Sequence, residues 1–217
     1  MSSSSILVYV QLLMPMLLFG YIIYNLPVVK ARRRIRAAKI QPIAALVPGM
    51  RARVTGTIER LDKGLIAPLT GRPCVHYCAE ISEKDTREQS FGWVGLRSAK
   101  ETVDFVVRDT SGAAVIRIAG AEVATSVDYQ SSSGFLFSPR PAEVALVRRL
   151  GLDTSGLIGI GSSLRYDEEV LEIGQEVSVL GVVTGGQGAD PLVIESSPES
   201  PLLVTDHAGT VRAERTT

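Results

Sequence analysis

Ile6 to Val29 holds 19 apolar residues in a run of 24 with no charge among them. A helix of that length spans about 36 Å at roughly 1.5 Å per residue, enough to cross a hydrocarbon layer of about 30 Å. The pattern predicts a single N-terminal transmembrane helix within residues 1–29. Gln11 and Asn25 are its strongly polar members, and Tyr9, Tyr21 and Tyr24 stand near its ends, where amphipathic rings favour the membrane interface. From Gly49 onward the periodicity changes to two, the spacing of half-buried strands.

Six strands follow from that alternation: Ala52, Val54 and Ile58; Val75, Tyr77, Ala79 and Ile81; Val103, Phe105 and Val107; Val115 and Ile118; Val177, Val179 and Val183; and Leu192 to Glu195. Asp109 to Gly112 reads as a hairpin between the third and fourth, with Gly112 supplying a positive φ. Gly185, Gly186 and Gly188 mark the turn before the sixth. Pro141 to Leu150 begins at a proline, carries Val144, Val147 and Leu150 at helical spacing and stops at Gly151, which predicts one helix. Gly49 to Ile58 and Gly174 to Val183 repeat one pattern: Gly, four residues, Val, one residue, Gly, one residue, Ile or Val. A glycine in mid-strand marks a bend or a close backbone approach, as small barrels need at their corners. The fold class expected is mainly β, an OB-like small barrel of about six strands with one inserted helix.

Charge sharpens the division. Every charged residue lies beyond Val29, and Lys30, Arg32, Arg33, Arg34, Arg36 and Lys39 form a basic flank with no acid. Six of the 23 basic residues lie there, leaving 17 against 23 acidic over 40–217, so the β part is acidic and a nucleic-acid grip is excluded. The flank reads as a membrane-surface segment. By the positive-inside rule it places the N-terminus outside and the β domain in the cytoplasm of a single-pass protein of a bacterial plasma membrane. The expected organisation is a membrane helix over 1–29, a basic linker over 30–44, a β domain over 45–198 and a flexible tail over 199–217. Leu202 to Val204 is the part of that tail able to dock.

Candidate chemistry is sparse. Cys74, His76, Cys78 and Glu80 share one face of a regular strand, but alternate residues stand about 6.7 Å apart, so at most two reach one metal ion. His76 and His207 are the only imidazoles, and no serine sits in a hydrolase-type elbow, so no catalytic residue, metal or cofactor is expected. Gly156 to Ser163 is glycine-rich but lacks the lysine of a phosphate loop. Asp167, Glu168 and Glu169 read as a solvated acidic run flanking a short helical turn before Gly174. Phe135, Leu136 and Phe137 follow serines and a glycine outside any strand, which makes Phe135 and Phe137 candidate binding residues.

One ordered set of residues carries a resemblance: Pro48, Gly49, Val54, Gly56, then Ala67, Pro68, Leu69, Gly71, Pro73, Cys74 and Tyr77, then Phe105, Asp109 and Gly112, then Glu169, Leu171, Gly174, Val177, Leu180 and Gly181. Over about Ala45 to Pro198 the chain resembles the GIDE domain, also called BAM for "beside a membrane". Ala-Pro-Leu-Thr-Gly-Arg-Pro-Cys followed by Tyr77 is the most specific piece, and it adds Pro68, Gly71, Arg72, Cys74 and Tyr77 to the candidate binding residues. Eukaryotic members resembled here are organelle-membrane E3 ubiquitin ligases with a C-terminal RING, which needs a series of Cys and His ligands. Cys74 and Cys78 are the only cysteines present, so ligase chemistry does not transfer. The resemblance implies a membrane-anchored binding module whose partners are the bilayer and another membrane-associated protein. The alternatives are a component of a ligase-like or peptidase-associated system with catalysis supplied in trans, and a structural role through oligomers built on Gln11 or Asn25.

Overall fold

The computed structural model describes residues 26–85, 92–134, 138–152, 163–186 and 191–211. The apolar run over 6–25 therefore lies outside the described residues. Among those described, no helix is long and apolar enough to cross a membrane.

Among the described residues, twelve strands form two sheets: β1 (Arg51–Arg60), β2 (Leu65–Ile66), β3 (Pro73–Lys84), β4 (Trp93–Thr102), β5 (Phe105–Arg108), β6 (Ala113–Arg117), β7 (Glu122–Val123), β8 (Tyr129–Ser133), β9 (Leu164–Glu172), β10 (Glu176–Gly185), β11 (Leu192–Glu195) and β12 (Leu203–Thr205). In the first sheet, β1, β5, β6, β11 and β10 pair in that order, and β10 pairs with β1, which closes a five-stranded barrel. β12 and β7 extend it beyond β10. The second sheet is a curled half-barrel in the order β2, β3, β9, β8, with β4 also on β3. Five of the six strands read from the sequence are the barrel. The remaining one, β3, is the centre of a sheet whose other long members, β4 and β9, the periodicity did not reveal.

The chain makes the second sheet from two excursions out of the barrel. One leaves after β1 and returns as β5; the other leaves after β7 and returns as β10. The barrel core gathers Val54, Ile58, Phe105, Val107, Ile116, Val177, Val179, Val183 and Ile194. It also takes Val75 and Leu171 from the ends of β3 and β9, so the two sheets share apolar packing where they meet. The second core places Tyr77, Ala79, Ile81, Leu164, Tyr166 and Val170 against Leu146 and Val147 of α2 (Pro141–Arg149). Pro141 fits the first turn of α2 because its missing N–H is an orphan there, and the Glu143 carboxylate reaches back to accept from Arg140 N at 2.7 Å.

The repeated glycine pattern is a local two-fold relation inside the barrel. β1 and β10 run antiparallel with Val54 opposite Val179 at the centre. Gly49 N donates to Val183 O at 2.8 Å, and its counterpart Gly174 N donates to Ile58 O at 2.9 Å. β5 lies on the far half of β1 as β11 lies on the far half of β10, with Thr57 opposite Arg108 and Val182 opposite Glu195. Each mid-strand glycine sits beneath a crossing carbonyl. A Cβ on Gly56 would stand 2.3 Å from Arg108 O, and one on Gly181 would stand 3.0 Å from Glu195 O. Only a residue without a side chain lets the neighbouring strand cross that closely.

Two local expectations are corrected. Gly112 does not take a positive φ; the hairpin is instead organised by the Asp109 carboxylate, which accepts from Ser111 N at 2.7 Å and Gly112 N at 2.9 Å. Residues 167–169 form no helical turn. They lie inside β9, because Leu164, Tyr166, Glu168 and Val170 alternate inward against the second core. At the C-terminal end, Leu203–Thr205 pairs with β10 and is followed by α3 (Ala208–Val211), so residues 203–211 are part of the folded unit.

The basic segment is also structured. Residues 27–37 form α1 (Pro27–Ala37), starting at a proline and carrying Arg34 and Arg36 in its last turn, where cations suit the helix dipole. Ala31 and Ile35 are buried against Ala124, Leu180 and Leu203. A docked helix thus occupies most of the stretch from which a linker was expected.

Candidate functional site

Pro68, Gly71 and Arg72 belong to a turn that encloses a buried carboxylate. Glu168 is fully buried and accepts from Leu69 N at 2.7 Å, Thr70 N at 3.1 Å and Thr70 Oγ1 at 2.6 Å. The turn is closed by Gly71 N to Ala67 O at 2.9 Å and Ala67 N to Arg72 O at 3.0 Å. Arg72 then bonds Thr70 Oγ1 at 3.2 Å, pairs with Glu172 at 3.3 Å and approaches Asp128 at 3.8 Å. A buried carboxyl group needs partners of this kind, since burying it without them is costly. The motif Ala67–Cys74 therefore forms a buckle between β2, β3 and β9, and its polar groups are consumed in holding the second sheet.

Cys74, His76, Cys78 and Glu80 do not share one face. The β3–β9 register shifts between Cys74 and His76, with Cys74 opposite Glu172 and His76 opposite Leu171. That bulge turns Cys74 into the second core beside Tyr77, while Val75 joins the barrel core. Burial pushes the Cys74 thiol up to about 11, with Glu168 adding to the shift. Burial likewise raises Cys78, so neither sulfur is an activated nucleophile. His76 is buried and its Nδ1 lies 2.8 Å from Thr102 Oγ1. Desolvation, helped by Lys100, holds it down to about 4, so it stays neutral and is a weak base. Tyr77 OH accepts from Arg149 at 2.9 Å, and that guanidinium also reaches Glu101 at 3.1 Å. Among the described residues no cluster of three His, Cys, Asp or Glu is placed to hold a metal ion. His207, on the segment leading into α3, donates its N–H to Thr205 Oγ1 at 3.2 Å; burial and the nearby Arg32 and Arg36 lower its imidazole. Phe135 and Phe137, and most of the glycine-rich stretch before Ser163, lie outside the described residues.

The basic flank divides in two. Arg32 donates to Thr125 O at 2.7 Å and Ser126 Oγ at 3.0 Å, and Arg36 donates to Gly209 O at 3.1 Å, so Arg32 ties α1 to the chain just after β7 and Arg36 ties it to α3. Lys30, Arg33, Arg34 and Lys39 are exposed, as are Leu26 and Val28 at the N-terminal end of the helix. Beneath α1 lies Arg53 on β1, which is 1% exposed. Its guanidinium donates to Ala38 O at 2.9 Å just past the helix and to Thr210 O at 2.6 Å in α3. One buried cation thereby caps the C-terminal end of α1 and fastens α3 beside it.

Grooves open on the barrel among the described residues, two of them large. The larger, about 870 Å³, is lined by Ile40, Pro42, Thr55, Thr57, Glu59, Arg108 and Glu176, among others. The other, about 830 Å³, runs over Asp62, Lys63, Thr102, Asp104 and Arg117. In the first, Arg108 and Glu59 pair at 2.6 Å, and the bond from Arg108 holds the Glu59 carboxyl below its usual value. Partial burial opposes the charge on Asp109, but the bonds from Ser111, Ile43 and Gly112 outweigh it and lower its pKa.

Sequence reasoning missed the burial of Glu168, Arg53 and Glu143, the three buried Asp, Glu, Lys or Arg side chains among the described residues. Alternation held the signal for the first: with Leu164, Tyr166 and Val170 apolar, Glu168 falls in the buried row. Arg53 occupies an ordinary outward position in β1, and only the docking of α1 buries it. Glu143 is visible as the third helical residue of α2, yet its bond from Ser131 Oγ at 2.6 Å depends on β8, which had no periodic signature.

The family model for GIDE, described as E3 ubiquitin ligase, matches residues 76–210, well over half of the chain. That range begins after the Ala67–Cys74 buckle and runs through β12 and most of α3, so it lies further toward the C-terminus than the motif-based resemblance. No curated protein and no solved structure matches the chain. With a closed barrel, a curled second sheet and this match together, the chain belongs to the GIDE family.

Proposed function

We propose that this GIDE chain is a membrane-anchored interaction module, with residues 1–29 spanning a bacterial plasma membrane and the β domain on the cytoplasmic side. The observation that carries the reading is the docking of α1. The basic helix that follows the apolar run is packed on the barrel through Ala31 and Ile35 and capped by buried Arg53. A chain held in lipid at its N-terminus therefore keeps the barrel close to the surface. Lys30, Arg33, Arg34 and Lys39 face outward from that helix or just after it, each suited to an anionic leaflet at about 1 kcal/mol apiece. Local tethering raises the effective concentration of the domain for other membrane-bound partners. The described side chains favour binding over catalysis, because the buried histidine is neutral and both thiols are raised.

The reading is tested by washing membranes from cells expressing the chain with alkaline carbonate, then treating sealed spheroplasts and inverted vesicles with protease. The chain is expected to stay with the membrane, with the β domain digested only in inverted vesicles. Release of the intact polypeptide, or digestion from the spheroplast side, would overturn it.

A further inference from the structure

The barrel's internal two-fold relation exposes an asymmetry. On β10, the outer edge at Ser178–Leu180 is covered by β12, which runs antiparallel with Thr205 opposite Ser178 and Leu203 opposite Leu180. The equivalent edge on β1 is Arg53–Thr55. Both edges end at the same kind of anchor: Leu202 N donates to Ser196 Oγ at 3.0 Å, and in the matching place Ile43 N donates to Asp109 Oδ2 at 2.9 Å. Between the anchors, however, the strap meets this edge of β1, among the described residues, in a single parallel bridge from Ile40 to Arg53, after which Pro42 carries it away. Proline has no N–H to continue a ladder. The larger groove opens there.

Its floor carries main-chain bonding capacity. Gln41 N donates to Arg53 O at 2.8 Å on this edge, and the β5 ladder begins at Thr57 opposite Arg108. Strand backbone groups alternate sides, so the N–H and C=O of Thr55 face the same edge, and among the described residues no strand is registered opposite them there. The rim is acidic, with Glu59, Asp109 and Glu176 against Arg108. Glu59 and Asp109 have lowered pKa values and stay ionised at neutral pH.

We propose that this groove is a peptide site. It takes a short extended segment of a partner protein, laid antiparallel to β1 and pairing with the N–H and C=O of Thr55 in the gap between the Ile40 bridge and β5, and it selects a basic side chain through the acidic rim. Main-chain pairing to an exposed edge supplies a general grip, and alternate side chains supply selection. The proposal rests on the reading of the chain as an interaction module and names the chemistry of its partner.

The test uses the full chain in detergent micelles and three fluorescent seven-residue peptides of alternating Val and Thr, carrying two central Lys, Glu or Gln residues. Anisotropy is expected to show the Lys peptide binding at least tenfold tighter than the Glu peptide, with amide shifts centred on Thr55 and Thr57. Thr57→Trp, at an exposed lining position, is expected to weaken binding of the Lys peptide tenfold. Equal affinity for Lys and Glu peptides, no saturable binding, or shifts centred on another surface would overturn the proposal. Micelle binding is blind to membrane insertion and carbonate washing is blind to the groove, so the two readings fail separately.

Discussion

In the barrel, the inward row from Val54 and Ile58 through Val107, Ile116, Val179 and Ile194 is apolar, and the buried polar residues of the same strands, Arg53 and Ser178, occupy alternate outward positions. The second sheet is built differently. Its buried residues include Glu168, His76 and Ser82 on the strands, with Glu143 from α2 against them. The barrel follows from pattern and two glycines, whereas the second sheet depends on a few carboxylates and one imidazole whose partners come from other elements: the Leu69–Thr70 turn for Glu168, β8 for Glu143 and β4 for His76. That difference makes the barrel tolerant of polar change on its surface and the second sheet sensitive to single charged substitutions and to pH.

The contrast can be broken at its strongest point by Glu168→Ala. The change leaves the buried Leu69 N–H and the Thr70 donors without their acceptor, and a loss of about 4 kcal/mol is expected in chemical denaturation. Glu168→Gln, which keeps one acceptor oxygen, is expected to lose less. If Glu168→Ala instead unfolds at the same denaturant concentration as the unaltered chain, the buckle is not what holds this sheet.

Acid separates the two regions next. His76 sits at about 4 in the folded chain, below its ordinary 6.5, so the unfolded chain binds the extra proton between those values. Stability is unaffected above about pH 6.5, falls as pH drops through that window, and levels off below about 4. The loss is on the order of 3 kcal/mol over the window. His76→Asn is expected to flatten the pH dependence of unfolding by that amount, and an unchanged slope would remove the imidazole from the account.

The barrel's own weak points are geometric. Gly56→Ala is expected to cost about 2 kcal/mol, because its Cβ would meet the Arg108 carbonyl and cannot displace a backbone. Gly181→Ala is expected to be similar or slightly smaller, since its Cβ would first meet the Leu202 and Ile194 methyls at 2.5 and 2.8 Å, which can shift, with the crossing carbonyl at 3.0 Å. Thermal melts of both variants check whether the two-fold relation is energetic as well as geometric. The smallest effect belongs to the exposed Arg108–Glu59 pair: Glu59→Gln is expected to leave the melting temperature within error at physiological salt.

How much of this was legible depended on where the information resides. The barrel strands announced themselves because one face meets an apolar core and the other meets water or polar cover, so Val54, Val107 and Val179 alternate cleanly. β4 did not, since most of Trp93–Thr102 is exposed on both faces and carries no period. β9 was hidden by its acids: Asp167, Glu168 and Glu169 look solvated until the turn at Leu69 and Thr70 is seen to wrap the middle one. The bulge at Val75, which separates Cys74 from His76, is a matter of pairing register and leaves no trace in composition. Of the candidate site, the basic residues of α1 were visible as a charge run. Their division into docking and outward-facing groups required the tertiary contacts of Arg32, Arg36 and Arg53.

The central claim is that α1 and the barrel move as one body, so that whatever holds the N-terminus also orients the domain. Double electron–electron resonance between labels at Lys30 on α1 and Thr110 on the β5–β6 hairpin tests it directly, in micelles and in lipid nanodiscs. One narrow distance distribution in both media, broadened by Arg53→Met, is the expected result. A broad distribution with Arg53 intact would show that the helix is an untethered linker and would contradict the account.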